Sequence, residues 1–174
     1  MVEVRPASAS DAQAVSRLAA RTFALACPDS TPAAAIAEHI RTQLNADAFA
    51  QLMTWARFLV VDGAHGEVSG YVMLTCEPPP LDTHWQRPLE LRRIYVDVDL
   101  HGRGVAEALM AASLRIAVEE GHDWIWLGTN KQNVRAIRFY EKAGFGIVGE
   151  RKFCVADSVE TDHVMARRVS LSHE

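Results

Sequence analysis

The chain has 174 residues, 49% of them apolar and 23% charged, and a formal net charge of −4. That length and apolar share suit one compact α/β domain over 1–174, large enough for a core of its own. Scattered basic residues under a net negative charge speak against nucleic acid as a partner, and no apolar run approaches a membrane span. The start "MVEVRPASASDAQ" lacks a basic segment followed by an apolar one, so a cytoplasmic location is expected. Cys27, Cys76 and Cys154 are odd in number, far apart and without CxxC spacing, which points to reduced thiols and to neither a disulfide framework nor a metal site.

The segment "VEVRPA" (2–7) alternates apolar and polar residues and reads as a first strand. Ser10 or Asp11 can cap a helix running to about Ala26, with Ala14, Val15, Leu18, Ala19 and Phe23 on one face. "CPDSTP" breaks it. Thr31 and Pro32 suit the N-cap and first position of a second helix through Ile36, Ile40 and Leu44, restarting near Asp47. "RFLVVD" (57–62) and "VSGYVMLTCE" (68–77) form a hairpin around a glycine-containing turn, and 78–88 is a loop. A strand at 89–98, a helix at 103–121, a buried strand at 123–129 and a helix at 133–143 follow. The segments 145–156 and 162–169 close the chain as an antiparallel pair. This alternation predicts a mixed sheet with helices on both faces.

"HGRGVAEALM" puts two glycines directly before a helical run, where unpaired amides and the positive helix end can hold a phosphate. A P-loop needs GxxxxGK[ST], which is absent. A dinucleotide fingerprint needs a third glycine, and Glu107 stands in its place. The stretch His101-Gly102-Arg103-Gly104-Val105-Ala106 resembles the Q/R-x-x-G-x-G/A turn of the GNAT superfamily of N-acetyltransferases, with histidine in place of the usual Gln or Arg. "NVRAIRFYEKAGF" (133–145) resembles the N-x-x-A-x-x-x-Y-x-x-x-G-F signature of the same superfamily. Asn133 and Tyr140 are seven residues apart, so both fall on one helix face.

The resemblance implies an α+β GNAT fold: a mixed central sheet of about seven strands, helices on both faces, and a central strand pair that splays apart. It implies acetyl-CoA as co-substrate and no metal. Amides of the turn 101–106 would cradle its pyrophosphate, Arg103 would add charge, and Asn133 would line the cofactor groove. Backbone groups of Ile94, Tyr95 and Val96 would pair with pantetheine between the splayed strands, and the amide near Val96 would stabilise the tetrahedral oxyanion. Tyr140 is the implied acid toward the departing thiolate and Glu90 the implied base, although Glu90 could equally pair with Arg92 on its own strand. Direct transfer needs no covalent enzyme intermediate.

The acceptor implied is a small-molecule amine. The stretches 89–110 and 126–145, with the tail "TDHVM" (161–165), are similar to a bacterial subgroup that includes spermidine and spermine acetyltransferases. Asp29, Glu38, Asp82, His84, Trp85, Asp157, Glu160 and Asp162 form an acidic and aromatic set suited to a cation, and equally to a solvated surface. His163 reads as a hydrogen-bonding strand residue. An amino acid, an aminoglycoside-like antibiotic or a protein amine are alternative acceptors. An acyl-CoA-binding module without turnover is the alternative outside enzymes. A homodimer is compatible with an exposed sheet edge.

Overall fold

The computed structural model describes residues 1–155 and 158–169. The fold is mixed α/β, with a seven-stranded sheet in the order β1-β2-β3-β4-β5-β7-β6. The strands are β1 (Arg5–Pro6), β2 (Arg57–Asp62), β3 (Val68–Thr75), β4 (Pro88–Val96), β5 (Trp124–Asn130), β6 (Gly146–Val155) and β7 (Ser158–Arg168). Five helices accompany them: α1 (Ala12–Ala26), α2 (Ala33–Gln43), α3 (Ala46–Leu52), α4 (Val105–Glu119) and α5 (Val134–Lys142). No helix among the described residues is long and apolar enough to cross a membrane. By its contacts the chain divides into two compact units, one of residues 1–73 and 93–112, the other of 74–92 and 113–174.

In the first unit, β2 carries four consecutive buried residues and every residue of β3 is buried. Such continuous runs belong to strands covered on both faces. Val15, Leu18, Phe49, Val60, Tyr71 and Met73 are fully buried in one cluster that joins α1 and α3 to β2 and β3. Gly70 has a local reason: a Cβ there would lie 2.8 Å from Val105 Cγ1, so β3 presents bare backbone to the start of α4.

In the second unit, β5 pairs with β7 antiparallel over its whole length, and β6 pairs with β7 with a register irregularity between Ile147 and Gly149. Parallel pairing of β4 with β5 covers only Pro88↔Trp124 to Glu90↔Trp126. The loop before β4 is tied down. Asp123 accepts the amides of Gln86 and Arg87 at 2.6 and 2.9 Å, Trp126 Nε1 donates to Glu77 O at 3.0 Å, and Trp85 stacks on Trp124 at 4.8 Å.

Several boundaries differ from the sequence expectations. The first strand shrinks from 2–7 to Arg5–Pro6, which register with Val60 and Leu59 of β2, and the Ala7 amide then donates to Phe58 O at 2.9 Å as the chain leaves the ladder. Pro32 occupies the N-cap position, not the first helical one, and no side chain caps α2. The restart expected near Asp47 is present one residue earlier, since Asn45 accepts the amide of Ala48 at 2.8 Å and starts α3 at Ala46. β4 stops at Val96, and Val98–Leu100 turns as a 3-10 helix. The last strand begins at Ser158, four residues before the expected Asp162.

Candidate functional site

In the first unit, the turn between β4 and α4 is held from below. The Asp97 amide donates to Ser69 O at 2.8 Å, its carboxylate accepts the Asp99 amide at 3.2 Å, and Arg21 pairs with it at 3.0 Å. Gly102 and Gly104 then take φ values of +78° and +84°, and a Cβ on either would meet nothing within 4 Å. Backbone conformation, not crowding, demands glycine here. The first α4 bond runs from the Ala108 amide to Gly104 O at 3.0 Å. Amides of Val105, Ala106 and Glu107 precede it and have no partner inside the helix. They point out of the positive end of the helix dipole, beside open space.

His101 is exposed and its Nε2 lies 3.2 Å from Val96 O, so the ring turns back on β4. Arg103 is exposed and, with Leu100, Val105, Ser69 and Asp62, lines an open groove of about 490 Å³. Ile94 and Tyr95 are half-buried and Val96 is buried.

In the second unit, Glu90 is 4% exposed. Its Oε2 accepts from Thr75 Oγ1 at 2.5 Å and from Arg92 Nε at 3.2 Å, so the ion pair with Arg92 that the sequence left open is formed. The parallel ladder ends at this residue. Tyr140 is buried on α5, with Phe139 and Phe145 edge-on at 5.5 and 6.1 Å. Asn133 is exposed and serves as the N-cap of α5, its Oδ1 accepting the Ala136 amide at 3.2 Å. At the other end Gly144 has φ +89°, and Arg167 donates to Ala143 O at 2.7 Å.

Of the acidic set, Asp162 is 5% exposed and bound by Arg151 Nε at 3.2 Å, while its Oδ1 has no partner. Burial pushes its carboxyl above the usual range, and Arg151 opposes that shift. A Cβ on Gly128 would overlap the Arg151 guanidinium, so β5 needs glycine for this arginine to lie across it. Glu38 is paired with Arg41, and Asp157 lies outside the described residues.

The profile of the acetyltransferase (GNAT) family matches residues 18–145, a span that takes in both the glycine turn and the α5 signature. The chain belongs to this family. Over 160 residues the acetyltransferase is 38% identical to an uncharacterized N-acetyltransferase of Mycobacterium tuberculosis, covering 91% of this chain and 98% of the relative. Among solved structures it is similar to the PaiA N-acetyltransferase of Thermoplasma acidophilum in complex with coenzyme A. The TM-score is 0.78 at 18% identity, over 97% of this chain and 99% of the other. It is also similar to the ribosomal-protein-S18-alanine N-acetyltransferase of Escherichia coli, with a TM-score of 0.69 at 20% identity, over 100% and 97% of the two chains. These structural likenesses concern the fold. Family and relatives make the protein an acyltransferase.

Sequence reasoning missed Thr75, Tyr71 and Arg93 in this acetyltransferase. Thr75 is the hydroxyl that holds Glu90, and nothing in "MLTCE" signals that partnership. Arg92 and Arg93 stand side by side in "LRRIY", yet one reaches a carboxylate while the other lies over the Phe49 ring at 5.6 Å.

Proposed function

We propose that this acetyltransferase moves an acetyl group from acetyl-CoA directly onto a small primary amine. The observation that carries the reading is the turn at Gly102 and Gly104, left-handed at both glycines, open on its outer side and followed by unspent helix amides. That geometry suits a pyrophosphate. His101 to Ala106 would hold it, and the backbone of Ile94, Tyr95 and Val96 would pair with pantetheine. Acetyl-CoA, when bound, supplies the thioester acyl carbon that the amine attacks.

Glu90 is the group assigned to take the ammonium proton. Thr75 and Arg92 both bond its Oε2, which keeps the carboxyl oriented. Tyr140 is the O–H assigned to protonate the departing thiolate, and the N-cap at Asn133 fixes the helix that carries it. A polyamine such as spermidine or spermine is the acceptor that the acidic residues support. Exposed Asp29 and Asp82 and half-buried Glu160 remain for it, whereas Glu38 and Asp162 are engaged by arginines. An amine that also bears a carboxylate is the second reading, favoured by the buried Nη1 of Arg93, which has no acceptor among the described residues.

The test is mass spectrometry of a pooled set of amines incubated with acetyl-CoA: spermidine, spermine, amino acids, an aminoglycoside and lysine peptides. An acetylated product is expected, and Tyr140→Phe should abolish it while coenzyme A still binds. Bound acetyl-CoA with no product from any of these amines would refute them as acceptors and move weight to an untested acceptor or to an acyl-CoA-binding module.

A further inference from the structure

Within the first unit, a cavity of about 50 Å³ is lined by Phe23, His39, Tyr71, Arg93 and Tyr95. Tyr71 is fully buried beside Arg93, and among the described residues neither its hydroxyl nor the buried Nη1 of Arg93 finds an acceptor. Unmade hydrogen bonds on two buried donors are costly, and their occurrence in one cavity points to a missing acceptor. Among the described residues no carboxylate lies within ion-pair distance of Arg93.

The rest of the wall is largely aromatic. Phe23 stacks on His39 at 4.4 Å, Tyr71 lies 5.7 Å from Tyr95, and the Arg93 guanidinium sits over Phe49. Burial holds both phenols above their ordinary range, so Tyr71 and Tyr95 remain O–H donors. Burial and the Arg93 charge both lower His39, which leaves it neutral. The cavity therefore offers one permanent cation and two hydroxyl donors, with no anion to balance them.

A carboxylate matches that set. Its two oxygens suit the planar guanidinium fork, and its three heavy atoms suit a space that would hold only a few waters, at roughly 10–15 Å³ for each. Arg93 and Tyr95 also flank Ile94 on β4, the stretch assigned above to the acyl donor. We propose that Arg93, Tyr71 and Tyr95 form a carboxylate subsite, and that the acceptor amine of this enzyme carries a carboxylate. The second clause rests on the acetyl-transfer reading and takes its second acceptor, an amine that bears a carboxylate, in place of a polyamine. A polyamine would meet an uncompensated positive charge here.

The test uses the full chain and two readouts. In the first, NMR titration follows arginine Nε–H and tyrosine ring signals with sodium acetate, glycine, ethylamine and sodium chloride, without acetyl-CoA. Acetate and glycine should give saturable shifts at Arg93 and Tyr71, whereas ethylamine and chloride give none. Arg93→Met and Tyr71→Phe should each weaken acetate binding by about tenfold or more. Tyr71→Phe removes a buried hydroxyl that has no acceptor and keeps the ring, and a parent-like melt then separates its loss of binding from misfolding.

In the second readout, acetyl transfer is compared for glycine against ethylamine and for β-alanine against propylamine. The carboxylate member should be favoured roughly 100-fold in kcat/KM, with near parity in Arg93→Met. Saturable acetate binding without transfer to any amine would uphold the subsite and refute the transferase reading. Chloride matching acetate, or spermidine acetylation unchanged by Arg93→Met, would overturn the subsite.

Discussion

Gly104→Ala separates backbone conformation from space at the turn that opens α4. Gly104 sits at φ +84°, and an added Cβ meets no atom within 4 Å, so alanine brings no clash. What remains is the left-handed penalty of an L-residue, roughly 1–2 kcal/mol. For a chain of this size that corresponds to a fall in Tm of about 2–8 °C, at roughly 2–4 °C per kcal/mol. Gly104→Asn should fall less, because asparagine tolerates the left-handed region. Gly70→Ala is the opposite control: its Cβ would press on Val105 Cγ1 at 2.8 Å and on Leu109 Cδ1 at 3.2 Å, at a cost of roughly 1–3 kcal/mol from overpacking. Thermal melts read stability, and calorimetric titration with coenzyme A reads the cradle on protein kept well below its Tm. Both Gly104 variants should lose about tenfold in affinity, the amides being turned from the phosphate and a side chain standing in its space. A parent-like melt for Gly104→Ala would refute the left-handed turn. A lowered melt with parent-like binding would refute the turn as the cradle.

Arg5 bonds Asp62 at 2.7 Å and Asp11 at 2.8 Å, and it holds both carboxyl groups below their usual range. Carboxyl groups lowered in the fold contribute stability above their unfolded pKa near 3.8 and lose it as the pH falls through the folded values. Arg5→Met should therefore lower Tm at pH 7, by about 1 kcal/mol or less because Arg5 is 38% exposed, and the deficit should close in acid. An equal deficit at pH 7 and below the folded values would contradict the pairing. Asn133→Ser keeps a capping oxygen and Asn133→Ala removes it, so alanine alone should cost about 1 kcal/mol in urea denaturation. If coenzyme A affinity falls equally in both, the amide touches the ligand as well as capping α5.

The turn 101–106 and the helix 133–143 were legible because each motif is local, with glycine where φ is positive, while the capping of Ala136 by Asn133 came from the structure. The order of strands and helices was legible for the same kind of reason, since periodicity and turn residues act over a few positions. Helix edges shifted where the chain's own caps competed, as at Pro32 and Asn45. What needed the tertiary structure was the fate of individual polar side chains. Arg92 and Arg93 are the same residue in adjacent positions, yet one is spent on Glu90 and the other ends over Phe49 beside Tyr71, its Nη1 without an acceptor. Thr75 and Glu90 meet across fifteen residues, and Arg151 meets Asp162 because β6 and β7 pair them, its guanidinium lying over Gly128. Local sequence sets backbone conformation through sterics and nearest hydrogen bonds, whereas burial and charge pairing depend on which strands the sheet brings side by side.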